Sequence, residues 1–244
     1  MAKRSQQIEV DALLPINISS SNATRNVSKM MAITALTLPD AWYKTVRHIM
    51  EYGDVVNTEY GIKARQILLG AIQIDSPKEG WHKGDAFCTK ARIEEYKKQF
   101  DRAYLHQHAF EYTYLERLVE GHGIDQLEWM REQLAAKRTD SKRIQAITWI
   151  PKIDCFKEEN QPCFQRMWVY VHPTNRLDVH IMYRSWDIFQ AYEANINAFL
   201  TLIKKELLAP TGLKMGVLCT VGNSMHIYEY NWEEAQRVID KYKK

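Results

Sequence analysis

Residues 166–172 and 177–183 are two alternating apolar runs, separated by Pro173, Thr174 and Asn175. Proline presets φ and asparagine tolerates the left-handed region, so such a linker between two strand-like runs specifies a hairpin. This one feature favours an α+β layer over a doubly wound sheet. A doubly wound parallel sheet needs a crossover after each strand, and here two strands meet directly. The chain is therefore expected to be α+β: one domain, with a mixed β-sheet layer packed with helices.

The rest of the chain supplies elements for such a layer. Pro39-Asp40 opens a helix on which Trp42, Val46, Ile49 and Met50 recur at helical spacing until Gly53 stops it. Residues 65–75 read as a strand closed by Ser76-Pro77, and residues 93–105 mix charges and aromatics at helical spacing. Residues 124–137 form a helix with Leu127, Met130 and Leu134 on one face, broken by Thr139-Asp140-Ser141. A strand over 145–150 ends at Pro151, a long helix spans 188–208 before Pro210 and Gly212, and residues 215–220 give another strand. Asn231 is placed to cap a last helix carrying Ala235, Val238 and Ile239. Residues 1–35 are polar and irregular and read as a loose arm ahead of a domain over 36–244.

Composition limits the function. The 33 Lys and Arg nearly balance the 30 Asp and Glu, so any anion site is local and a general nucleic-acid surface is excluded. No run approaches the ~20 apolar residues of a membrane span, and Lys3-Arg4 with the short apolar patch at 13–18 is too weak for a secretory signal. Cys88, Cys155, Cys163 and Cys219 show no C-x-x-C pair, which argues against a metal site. Four scattered thiols fit a reducing, cytoplasmic setting. On that view the sequons at Asn22 and Asn26 are chance matches.

Several side chains could carry chemistry, and each has a bland reading beside it. Cys163, after Gln161-Pro162, is a nucleophile only if positive charge stabilises its anion, and Arg166 and Arg184 are the nearest candidates. A lone cysteine is more often a buried thiol. Arg184-Ser185-Trp186-Asp187 offers a guanidinium fork and a hydroxyl to a phosphate, or simply an Arg–Asp pair at a strand end. Asn195 presents a donor and an acceptor together, matching the adjacent N–H and C=O of uracil; Asn197, two residues on, should point elsewhere. His226 and Tyr228 share one face of an extended segment and could reach one hydroxyl. Lys142-Arg143 could hold a phosphate or line a solvated turn.

The order of these residues changes the odds. Gln161-Pro-Cys163, Arg184-Ser-Trp-Asp187, Asn195 and His226-Ile-Tyr228 together resemble the signature series of thymidylate synthases. Upstream, Gly123-Ile-Asp-Gln126, Asp140-Ser-Lys-Arg143 and Glu111-Tyr-Thr-Tyr-Leu-Glu-Arg117 resemble further segments of that family, so the likeness spans about residues 110–240 and is greatest to the short archaeal branch. The resemblance implies a thymidylate synthase-like fold and these roles. Cys163 attacks C6 of dUMP. Arg184 and Ser185 hold phosphate, with Arg184 favouring the thiolate, and Asp187 helps orient the ring. Asn195 reads the base, and His226 and Tyr228 hold the 3′-hydroxyl. Lys142 and Arg143 resemble a pair lent by a neighbouring subunit, and Arg65 a loop arginine closing on the phosphate.

The implied carbon donor is methylene-tetrahydrofolate or an archaeal pterin analogue, with no metal, in either a homodimer or a monomer. The same cysteine chemistry also fits a hydroxymethylase acting on dUMP or dCMP, and the phosphate groups alone fit a non-catalytic nucleotide-binding relative. Departures from the family pattern are Phe164 in place of a histidine, Tyr183 in place of a glutamine, Lys142 in place of an arginine, and no apolar tail at Tyr242-Lys243-Lys244. The last of these bears on the donor more than on the cysteine.

Overall fold

A computed structural model describes residues 30–83, 88–136 and 141–242. Seven strands form one sheet: β1 (Met31–Ala35), β2 (Asp54–Asn57), β3 (Lys63–Ile74), β4 (Gln145–Ile147), β5 (Phe164–Val171), β6 (Arg176–Asp187) and β7 (Lys214–Tyr228). Their order is β1-β3-β7-β6-β5-β4, with β2 also paired to β3. β1 runs parallel to β3 and β6 parallel to β7, while the other pairs are antiparallel, so the sheet is mixed as expected. The hairpin is present: Val171 pairs with Leu177, His172 N–H donates to the Arg176 carbonyl at 2.8 Å, and Asn175 takes φ 64°.

Among the described residues the helices are α1 (Leu38–Tyr52), α2 (Lys90–Lys97), α3 (Tyr114–Val119), α4 (Gln126–Ala135), α5 (Pro151–Asp154), α6 (Tyr192–Leu202), α7 (Ala209–Thr211) and α8 (Trp232–Tyr242). α1 begins at Thr37, whose side chain accepts from Asp40 N–H, and buries Leu38, Ala41, Trp42, Val46 and Ile49. It ends at Gly53, where a Cβ would lie 2.5 Å from the Ile49 carbonyl oxygen. Trp42 Nε1 donates to the Ile188 carbonyl at 2.9 Å, tying α1 to the link between β6 and α6. α3 carries a full capping box between Thr113 and Glu116. α4 starts at Gln126, next to its cap Asp125.

Several boundaries differ from expectation. The arm over 1–35 ends sooner, because Met31–Ala35 is strand; residues 1–29, with both sequons, lie outside the described residues, as do 137–140. The strand over 145–150 is only Gln145–Ile147, and the helix over 93–105 is α2 followed by two 3-10 turns. The helix over 188–208 starts at Tyr192, because β6 runs on to Asp187 and Asp187 Oδ1 then accepts from Gln190 N–H in a turn. Residues Ile203–Leu208 widen into π-helix around Glu206, whose buried carboxylate takes Arg102 and Arg131. Asn231 does precede α8, but its Oδ1 accepts from Gln190 Nε2 at 3.2 Å.

Candidate active site

Leu177, Val179, Ile181 and Tyr183 are buried on one face of β6, and Leu218, Thr220 and Gly222 lie on the matching face of β7. Following that alternation along both strands brings polar residues onto the same face: Ser185 and Asp187 on β6, and Ser224, His226 and Tyr228 on β7. The register sets Ser185 opposite Ser224 and Asp187 opposite His226, and β3 adds Gln66 opposite His226 and Ala64 opposite Tyr228. The face that buries the core over most of its length thus becomes the floor of a cleft at one end.

Two adjoining hollows of about 620 and 540 Å³ share Glu59, Tyr60, Tyr96, Tyr114, Cys163 and Arg184. Cys163 therefore stands at their junction. The second hollow is lined by Ser185, Asp187, Asn195, Ser224, His226 and Tyr228, and the first by Phe110, Tyr112, Gln99, Asn160 and the carboxylates Glu111, Glu158 and Glu159.

Cys163 is half-buried just before β5, and its carbonyl accepts from Arg184 N–H at 2.8 Å. The Arg184 guanidinium binds the carbonyl oxygens of Gln161 at 2.9 Å and Pro162 at 3.2 Å, on the loop that carries the thiol. Burial raises the thiol's pKa above its ordinary value, Arg184 opposes this, and the Glu59 carboxylate adds to it. The thiol is thus protonated at rest, with a cation beside it that favours the anion. Arg166, the other candidate cation, lines a separate hollow with His122 and Trp149, which Arg184 also borders.

Burial pushes Asp187 up to about 6 and holds His226 down at about 4, so the imidazole is neutral near pH 7. The His226 and Tyr228 rings meet edge to face at 4.8 Å, as a shared strand face requires, and burial leads the causes that raise Tyr228 to about 12. The two asparagines part as expected, although both are buried. Asn195 lines the cleft, whereas Asn197 binds the Gly80 backbone through both ends of its amide.

Three further candidates lie outside this chain's own cleft, two of them the pair whose resemblance implies service to a neighbouring subunit. Lys142 and Arg143 lie just ahead of β4, where the Lys142 carbonyl accepts from Trp168 Nε1 and Arg143 N–H donates to Ser141. Neither lines the hollows that hold Cys163. Arg65 is on β3 between Ala64 and Gln66, so alternation turns it off the cleft face. Its guanidinium carbon sits 5.1 Å from the Trp232 ring centroid.

Sequence reading also missed residues that the cleft uses. Glu59 and Tyr60 come from the turn between β2 and β3, and Tyr96 comes from α2. Tyr112 is backed by Arg117 at 4.2 Å and Lys157 at 4.9 Å from its ring centroid. None of these has a spacing signature. Tyr112 and Arg117 fall within the Glu111–Arg117 segment, whose family likeness is the one signal in the sequence.

Fold and cleft together define a class: an α+β protein on a single mixed sheet, with a thiol beside an arginine where two hollows lined by both polar and aromatic side chains meet. A family model described as thymidylate synthase matches residues 40–244. A protein of Methanococcoides burtonii named "Putative thymidylate synthase" is 32% identical over 210 residues, covering 85% of this chain and 94% of its own. Proteins with the same name from Methanosarcina barkeri and Methanocaldococcus jannaschii are 31% and 29% identical, over 85% and 82% of this chain and 94% and 91% of theirs. The chain belongs to the thymidylate synthase family, whose members are methyltransferases of nucleotide biosynthesis that bind dUMP and a folate-type cosubstrate. Among the described residues no His, Cys, Asp and Glu group is arranged to hold a metal ion, and no helix is long and apolar enough to cross a membrane.

Proposed function

We propose that this chain converts dUMP to dTMP in the cytoplasm, with Cys163 as the nucleophile that opens the ring to methylation at C5. The observation that carries the reading is the position of the thiol, at the junction of the two hollows and beside Arg184.

The Cys163 proton passes to water in the cleft as the sulfur bonds to C6 of the uracil. The C5–C6 π electrons then move toward C5 and the C4 carbonyl oxygen, making C5 nucleophilic. Asn195 reads the N3–H and C4=O edge of the base. His226 is neutral, so it can donate or accept toward the sugar hydroxyl, and Tyr228 is held as a phenol beside it. Arg184 and Ser185 take phosphate oxygens, and Asp187 steadies the ring through backbone and water. C5 would then bond the one-carbon unit as that unit's bond to the donor nitrogen breaks. Loss of the C5 proton and hydride addition at the exocyclic carbon would expel the Cys163 sulfur from C6 as a thiolate, which regains a proton from water.

The first hollow suits a flat reduced pterin. Phe110 and Tyr112 line it with aromatic rings, and Gln99 and Asn160 with amides. Bound there as methylene-tetrahydrofolate or a pterin analogue, the donor supplies the carbon and the hydride.

Intact-mass spectrometry with 5-fluoro-dUMP and each donor tests the reading. A covalent adduct is expected on the wild type and none on Cys163→Ser, which still binds dUMP. Folded protein that forms no adduct with any folate or pterin donor refutes it. A product assay with labelled donor must then return methyl; hydroxymethyl would reassign the enzyme.

A further inference from the structure

Asn195 is held at both ends before any base arrives. Its Oδ1 accepts from the Trp186 indole N–H at 2.9 Å, and its Nδ2 donates to the Tyr96 hydroxyl at 2.7 Å. An indole N–H can only donate, so the orientation of this amide is forced by chemistry. Turning it over would set one donor against another. The carboxamide therefore keeps one N–H and one lone pair for a ligand. Since Tyr96 already accepts from Asn195, its own O–H proton points elsewhere, and Tyr96 lines both hollows. Burial keeps that phenol protonated throughout the physiological range.

We propose that Tyr96 and Trp186 are positioning residues that turn an ambivalent asparagine into a one-way reader of uracil. The inference rests on the dUMP reading above and adds the source of base selectivity. A free asparagine can present either end to a base and so tolerates cytosine. Here the Trp186 bond turns the oxygen away from the C4 substituent, and the Tyr96 hydroxyl sets a second donor beside the Asn195 N–H. A C4 carbonyl can accept both donors. A C4 amino group meets two donors and would strand the phenol proton, an unmade hydrogen bond in a buried place.

Calorimetric titration of dUMP and dCMP into wild type, Tyr96→Phe and Trp186→Phe tests this without any carbon donor. The wild type is expected to prefer dUMP. Tyr96→Phe should narrow the dUMP/dCMP affinity ratio about tenfold, the size of one lost hydrogen bond, chiefly by weakening dUMP. Trp186→Phe frees the amide to turn and should narrow the ratio by tightening dCMP. An unchanged ratio in both variants, or parallel weakening of both nucleotides in Tyr96→Phe, overturns the inference and leaves the dUMP reading standing. A wild type that binds no dUMP overturns both. Tyr96→Phe removes a single oxygen, so it carries the test alone if Trp186→Phe does not fold.

Discussion

Arg184→Ala should move the titration of Cys163 upward by about one pH unit. An opposite charge within a few ångströms shifts a titrating group by roughly one to three units, and the open cleft argues for the low end. At a pH below the thiol's pKa, one unit cuts the thiolate tenfold. The more basic sulfur regains part of that, with a Brønsted slope of about 0.5, so alkylation at fixed pH should slow about threefold. Glu59→Gln removes the carboxylate that raises the thiol and should shift the midpoint the other way. The assay is iodoacetamide alkylation against pH, read peptide by peptide, because none of the four cysteines is tied up in a disulfide. Exposed Cys155 serves as the internal reference and buried Cys88 as the slow control. Arg184 also holds the Gln161 and Pro162 carbonyls, so Arg184→Lys separates charge from loop anchoring. If charge is the cause, lysine keeps the midpoint within a few tenths of a unit. A midpoint that stays put in Arg184→Ala, or that rises in Glu59→Gln, refutes the electrostatic account of the thiol.

His226 is neutral in the fold, with its pKa lowered from 6.5 to about 4. Its contribution is full above pH 6.5 and lost as pH falls toward 4, on the order of 3 kcal/mol; urea midpoints should fall across that window and flatten in His226→Gln, and equal slopes would contradict this. Asp187 has the opposite sign: its pKa is raised from 3.8 to about 6, so its contribution is full below pH 3.8 and lost as pH rises through 6. Asp187→Asn keeps an acceptor for Gln190 N–H and should be the more stable protein at pH 8, by roughly 3 kcal/mol, with the gain vanishing near pH 4 in thermal melts. Arg117 and Asp154 form a two-bond ion pair at 3.0 and 3.3 Å with both residues buried. Arg117→Ala should cost about 3–5 kcal/mol by leaving a buried carboxylate unpaired, and removing both partners should cost less than the sum of the single losses; additive losses in denaturant titrations would count against the pair.

How far the sequence could be read follows from where its patterns stop. The hairpin at 173–175 and the helix carrying Leu127, Met130 and Leu134 are legible because turn chemistry marks the first and apolar periodicity the second. The reading of β6 ended at Tyr183 and that of β7 at Thr220, yet both strands continue, by four and eight residues. The cause is physical. Beyond those points the inward face carries Ser185, Asp187, Ser224 and His226, so the apolar alternation fails where the core turns into a cleft. β1 and β2 escaped because they are short and declare themselves only by pairing with β3. Cys163, Arg184, Asn195, His226 and Tyr228 were found through their order along the chain. Glu59 and Tyr96 reach the cleft from a turn and a helix whose local sequence says nothing of it, and only the folded contact with Asn195 singles out Tyr96.

Among the described residues that line the cleft, Arg184 is the one permanent cation, set against Glu59, Asp187, Glu111, Glu158 and Glu159, and His226 contributes no charge near neutrality. A nucleotide monophosphate brings nearly two further negative charges close to a thiol that must ionise. Bound to one chain alone, it would raise the thiol's pKa further and undo what Arg184 achieves. The family pattern names Lys142 and Arg143 for this task, and in the folded chain they stand ahead of β4, outside the hollows. A second copy supplying that pair would restore the balance. The dUMP-bound protein should therefore be a dimer by light scattering, and Lys142→Ala/Arg143→Ala should weaken dUMP at least tenfold while leaving uridine, which lacks the phosphate, unaffected. A monomer that binds dUMP tightly, or a double variant that loses uridine equally, would show that the phosphate is neutralised by other means.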